Sequence, residues 1–104
     1  MPRGLGITSL QILAAARAES AYGLDIVVRT GLPAGTVYPT LGRLRDAGLV
    51  KTHWEDQRHA DREGRPRRRF YTLTASGNRA LAAGADQLRA TAAALHTALA
   101  LPNP

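Results

Sequence analysis

The chain has no cysteine in its 104 residues, which excludes disulfides, thiolate metal sites and thiol nucleophiles. Aromatic residues make up only 5% of it, while 44% is hydrophobic and much of that is alanine. The core of a single modest domain must therefore come from close helix-on-helix contact, and burial against a partner would supplement it. Long apolar runs are missing as well. The stretch from Leu10 to Ala16 is interrupted by Gln11 and closes at Arg17, far short of the roughly 20 residues that span a membrane. It does not end in a secretory cleavage pattern. The expectation is a cytoplasmic protein with no membrane partner. Lysine is nearly absent too: thirteen arginines and Lys51 face eight acids, giving a net charge of +6.

That charge favours a polyanionic partner, because guanidinium groups grip phosphate as a fork and also match guanine edges. A generally basic surface would scatter its arginines. Here Arg65, Arg67, Arg68 and Arg69 are bunched in one turn.

Several elements are legible along the chain. Thr8 followed by Gln11 forms a capping-box pattern with Ile7 and Ile12 as a staple, so a first helix should start at Thr8, bury Leu10, Leu13 and Ala14, and fray near Ala18 to Ala21. A second helix covers Tyr22 to Thr30 and is stopped by Gly31, although the run Ile26 to Val28 would also suit a strand. Gly31 to Gly35 is a turn, and a third helix spans Thr36 to Ala47 before Gly48. With Thr36 as N-cap, Pro39 sits in the first turn, where its missing amide costs nothing. A start at Pro33 or Ala34 would instead put an irregularity at Pro39. On this helix Val37, Leu41 and Leu44 form a core stripe, while Thr36, Thr40 and Arg43 share a free face bordered by Pro39, with Tyr38 and Arg45 on the other flank.

Alternation over Leu49 to Glu55 and again over Arg69 to Leu73 predicts a β-hairpin, with Phe70 on the face opposite Arg69 and Tyr71. Its loop, Asp56 to Pro66, is polar, long for a hairpin, and expected to be mobile at its tip. From Ala75, with Thr74 as N-cap, an alanine-rich helix runs to just before Pro102. Leu81, Leu88 and Leu95 recur every seven residues, with Ala85, Ala92 and Leu99 four after each. This is a heptad seam suited to a homodimer, the alternative being a helix packed along its own domain. The fold class expected is mainly α with a small β-hairpin. Residues 1–74 would form a winged helix-turn-helix, and residues 75–104 a C-terminal dimerisation helix.

A helix-turn-helix joined to a basic hairpin grips duplex DNA with two devices, the amides and first turns of the third helix and the cations of the wing. Candidate DNA contacts are Gly35, Thr36, Tyr38, Pro39, Thr40 and Arg43 on the helix, and Arg65, Arg67 and Arg68 on the wing. His53, Glu55, Asp56, His59 and Asp61 cluster in sequence, but without cysteine or a helical i, i+4 histidine pair they do not make a metal site, and no cofactor is expected. No nucleophile elbow, phosphate-cradling glycine loop or paired carboxylates suggest an enzyme.

Thr30 to Leu41, Gly48-Leu49-Val50, Trp54-Glu55 and the run Gly64 to Thr74, with Tyr22-Gly23-Leu24 upstream, resemble the PadR-type transcriptional regulators. The Gly35-Thr36-Val37-Tyr38-Pro39 and Gly64-Arg65-Pro66-Arg67 blocks carry most of that resemblance. It implies a dimeric winged-helix repressor on palindromic operator DNA, released in many members by a small-molecule effector. It also implies that Gly35, Thr36, Tyr38 and Pro39 contact the operator, that Gly64 to Arg68 form the wing, and that the terminal helix is the dimer arm. Where members carry a serine ahead of Gly-Thr, this chain has Pro33-Ala34. A competing expectation is a winged-helix protein-interaction module that binds no specific DNA.

Overall fold

In the computed structural model, residues 4–17 and 21–103 are described. Residues 18–20, where the first helix is expected to fray from Ala18, lie outside them. The elements run α1 (Ile7–Ala16), α2 (Gly23–Thr30), α3 (Ala34–Asp46), β1 (Val50–Trp54), α4 (Gln57–Arg62), β2 (Arg69–Leu73) and α5 (Ala75–Ala100). The fold is thus mostly helical, with one antiparallel hairpin and a long terminal helix, as the patterning predicts. Ile12 and Leu13 of α1, Ile26 of α2 and Val37, Leu41 and Leu44 of α3 meet in the core. Val50 and Tyr71 close it from the hairpin.

α1 departs from expectation at its start. Gly6, not Thr8, is the N-cap, and no side chain caps the helix. Ile7 is exposed while Ile12 is fully buried, so the two do not staple. The buried set is Leu10, Ile12, Leu13 and Ala16, with Ala14 exposed. The physical reason is position: α1 touches α2, α3, β2 and α5, which buries a face wider than one stripe.

α2 begins after Tyr22, whose amide donates to the Asp25 carboxylate at 3.3 Å. It ends at Gly31, whose φ of 68° is the left-handed cap that glycine adopts without strain. α3 starts two residues before the expected Thr36. Its N-cap is Pro33, and the amides of Thr36 and Val37 both donate to the Pro33 carbonyl at 2.9 and 3.0 Å. Pro39 consequently lies inside the helix, which runs unbroken through it. The irregularity reduces to one lost donor for the Gly35 carbonyl, and Gly35 is exposed, where water can replace it.

In the hairpin, Val50 pairs with Leu73, Thr52 with Tyr71 and Trp54 with Arg69, so these six side chains share one face. Phe70 lies on the other face, stacked on His53 at 5.3 Å and edge-on to Tyr22 at 5.7 Å. The loop expected to be a mobile tip is instead folded around α4. Asp56 caps that helix by accepting from the Arg58 amide at 2.8 Å, and Ala60 is wholly buried. Local composition did not predict this, because the short helix is held by a long-range ion pair described below.

α5 is capped by Thr74, whose Oγ1 accepts from the Gly77 amide at 3.0 Å and donates to the Gly48 carbonyl at 2.6 Å. Gly77 lies directly beneath the Leu49 carbonyl, and Gly84 receives the Leu10 side chain, so neither site has room for a Cβ. Leu81 packs against the core. Farther along, Leu88, Leu95 and Leu99 are increasingly exposed, at 39%, 61% and 81%. The chain is elongated accordingly, 66 Å in its longest dimension against 27 and 22 Å.

Candidate nucleic-acid interface

The start of α3 presents an unusually bare surface. Pro33 offers no side-chain acceptor, so the amides of Ala34 and Gly35 stay open at the positive end of the helix, where an anion is favoured. Because Thr36 is not the cap, its half-buried hydroxyl is not committed to one. Tyr38 and Pro39 are exposed, and the Tyr38 ring lies across Gly23 of α2, where a side chain would displace it.

Thr40 is a correction. It is only 2% exposed and does not share the free face expected for it. A 13-residue helix packed on α2, α1 and β1 buries more than the single stripe of Val37, Leu41 and Leu44. The Thr40 hydroxyl accepts from a guanidinium nitrogen of the exposed Arg43 at 3.0 Å. Thr40 thus anchors the one long cation of this face, and Arg43 is the group that projects.

The wing is organised by Glu55. Its carboxylate receives both terminal nitrogens of Arg65, at 2.6 and 2.9 Å, and the Arg68 amide at 3.2 Å. His59 lies 3.6 Å away, one turn along. The Glu55 amide continues the hairpin ladder to the Arg68 carbonyl at 2.8 Å. The hydrogen-bonded Arg65 guanidinium, assisted by the Arg68 amide and opposed by desolvation, holds the Glu55 carboxyl down at about 2 against an ordinary value of 4.5. Arg65 is raised above its ordinary value by the same bond. A bidentate pair at this depth closes the loop around α4.

The arginine cluster therefore divides. Arg65, expected to meet DNA, is spent on Glu55 and acts as an internal strut. Arg68 is half-buried with its guanidinium 4.2 Å from the Tyr22 ring centroid. Arg67 and Arg69 both lie over the Trp54 indole, at 4.8 and 5.0 Å from its centroid. Neither Trp54 nor Arg69 was expected at the site. The register itself held the signal, since an indole at Trp54 must fall opposite Arg69 in any hairpin that pairs Val50 with Leu73.

Tyr22, Gly23, Leu24, Tyr38, Arg69 and Tyr71 line one open cleft that joins the wing to α3. Among the described residues no group of three or more histidines, acids or cysteines is arranged to hold a metal. No helix among them is long and apolar enough to cross a membrane. Of the heptad positions, Leu81 is half-buried on its own domain, Ala85 shares a cleft with Arg17 and Leu88 one with Leu5 and Leu10, and Ala92, Leu95 and Leu99 continue beyond them as an exposed apolar line.

Residues 12–83 match the family model described as the transcriptional regulator PadR-like family. A PadR family transcription regulator from Clostridium difficile is similar in structure, with a TM-score of 0.79 at 22% identity over 90% of this chain and 99% of that one. A PadR family transcriptional regulator from Eggerthella lenta has a TM-score of 0.74 at 25% identity, covering 90% and 82%. BpsR from Bordetella bronchiseptica, whose DNA binding is regulated by 6-hydroxynicotinic acid, has a TM-score of 0.64 at 21% identity, covering 100% and 73%. No curated protein gives a significant sequence match.

Proposed function

Because the chain belongs to the PadR-like family of transcriptional regulators, we propose that it is a cytoplasmic homodimeric repressor that binds a palindromic operator and occludes a promoter. The observation that carries this reading is the joint surface of α3 and the wing. It combines open helix-terminal amides, the side chains of Thr36, Tyr38, Pro39 and Arg43, and the exposed cation of Arg67. α3 enters the major groove, with its amides at Ala34 and Gly35 on a phosphate and Arg43 at base edges, while the wing follows the neighbouring backbone. Thr40 and Arg65 serve this interface indirectly, the first by anchoring Arg43 and the second by holding the wing.

Residues 1–74 form the DNA-binding unit and residues 75–104 the dimer arm. The exposed line of Leu88, Ala92, Leu95 and Leu99 supports the seam, continuing from Leu81 and Ala85, and twofold pairing of the arms matches a palindromic site. A small molecule releases the DNA, in keeping with the effector-regulated BpsR neighbour. The cleft between α3 and the wing and the seam between the arms are where it would act.

A gel shift on DNA upstream of the chain's own gene tests the reading. Specific, salt-sensitive retardation at submicromolar protein is expected, and Arg43→Ala should weaken specific binding more than non-specific binding. An absence of specific retardation would refute it. Unchanged DNA affinity in a Thr36→Ala, Arg43→Ala double variant would favour a protein-interaction module instead.

A further inference from the structure

We propose that Trp54 and Arg69, together with Arg67, form a phosphate clamp on the wing, a surface of two guanidinium groups held over one indole that takes the sugar-phosphate backbone of duplex DNA beside the groove entered by α3. The inference rests on the DNA-binding reading given above and adds to it a site in the hairpin itself.

Trp54 is the single tryptophan of the chain and is 50% exposed. The aromatic that closes the core from the hairpin is Tyr71, two positions from Arg69 on the same face. That face turns inward at Val50 and Tyr71 and runs outward to Trp54 and Arg69, so the clamp is the distal continuation of the surface that packs on the helices. Arg67 and Arg69 both lie within 5.0 Å of the indole centroid, and an indole face is the best aromatic partner for a cation. Contact with the indole restricts two otherwise flexible side chains without neutralising them. Among the described residues no carboxylate is within salt-bridge distance of either, whereas Arg65 is neutralised by Glu55. Two like charges held on one ring repel each other until an external anion bridges or flanks them.

The anion is a nucleic-acid backbone because of what adjoins the clamp. Arg69 and Tyr38 line the same cleft, so clamp and α3 are presented together. A duplex seated on α3 carries its phosphates along that line.

The test uses the full chain, a labelled duplex of arbitrary sequence, and Trp54 emission, which reports this site alone. Duplex should change the emission of the wild type. Losing one phosphate contact should lower the salt slope by about 0.9, which at about 0.1 M salt is about eightfold in affinity, for Arg69→Gln. Trp54→Leu should weaken binding in the same direction, and Trp54→Phe, which keeps an aromatic face, should restore most of it, with thermal melts of each variant establishing that the fold is intact. Wild-type affinity and slope in Arg69→Gln and Trp54→Leu, with silent emission, would overturn the clamp while leaving DNA binding through α3 in place. Equal emission changes with poly-glutamate, at the same salt dependence, would overturn it in favour of an acidic polypeptide. A wild type that retained no duplex at all would overturn the DNA-binding reading and the clamp with it.

Discussion

Replacing Thr40 with valine should separate the fold of α3 from its function. The side chain is almost wholly enclosed, and its hydroxyl accepts from the Arg43 guanidinium at 3.0 Å. Valine preserves the shape and removes the acceptor. Because Arg43 is exposed, water can take over the released donor, so the melting temperature should change little. Recognition should suffer more. Immobilising a rotamer-rich side chain at an interface costs about 0.5–1.5 kcal/mol, a cost that Thr40 partly removes by holding Arg43 in advance. Specific affinity should therefore fall by at most about 12-fold. Non-specific affinity, which depends on charge, should stay the same. Fluorescence anisotropy with the operator duplex and a scrambled duplex measures both. In a double-mutant cycle, Thr40→Val should have no further effect once Arg43 is alanine. Additive losses in that cycle, or an equal loss on both duplexes, would refute the anchoring role.

Acid should loosen the wing before the helical core. The Glu55 carboxyl is held at about 2 against an ordinary 4.5, so the stability it contributes is complete above about 4.5 and is lost as pH falls toward 2. Trp54 adjoins Glu55 and its emission should follow that window in the wild type and stay flat in Glu55→Gln, whereas a flat wild-type profile would count against the strut. Gly77→Ala should destabilise the domain by about 1–3 kcal/mol or more in thermal unfolding, because the new methyl meets the Leu49 backbone carbonyl, which also accepts from the Thr74 amide at 3.1 Å. Leu88→Glu should give a monomer in sedimentation if the α5 seam joins two copies, and a persistent dimer would put the interface elsewhere. Arg67→Ala should weaken binding to every duplex and lower the salt slope by about 0.9.

The order of elements, α4 excepted, was legible because local chemistry decides it. Gly31 and Gly48 carry the positive φ that stops helices. Thr74 has the hydroxyl that starts one, and alternation marks both strands. The stripe of Val37, Leu41 and Leu44 followed from helical spacing alone. Both misplaced helix starts lay where a backbone carbonyl, rather than the hydroxyl picked from the local pattern, took the first amides. The Thr8 capping box lost to a start after Gly6, and α3 began at Ala34 because the Pro33 carbonyl, not the Thr36 side chain, receives its first amides.

The arginine cluster marks the same division most clearly. Sequence alone determined that a basic hairpin follows an amphipathic helix, since net charge and periodicity are properties of residues in order. Which arginine is a strut and which is free was decided only by tertiary structure. Glu55 is ten residues from Arg65, and the α4 turn between them brings their forked groups to bidentate distance. The hairpin register in turn sets Arg69 against Trp54. Four neighbouring guanidiniums with one chemistry thus acquire different roles, because a charge acts according to what lies within a few ångströms of it, and only the folded chain sets those distances.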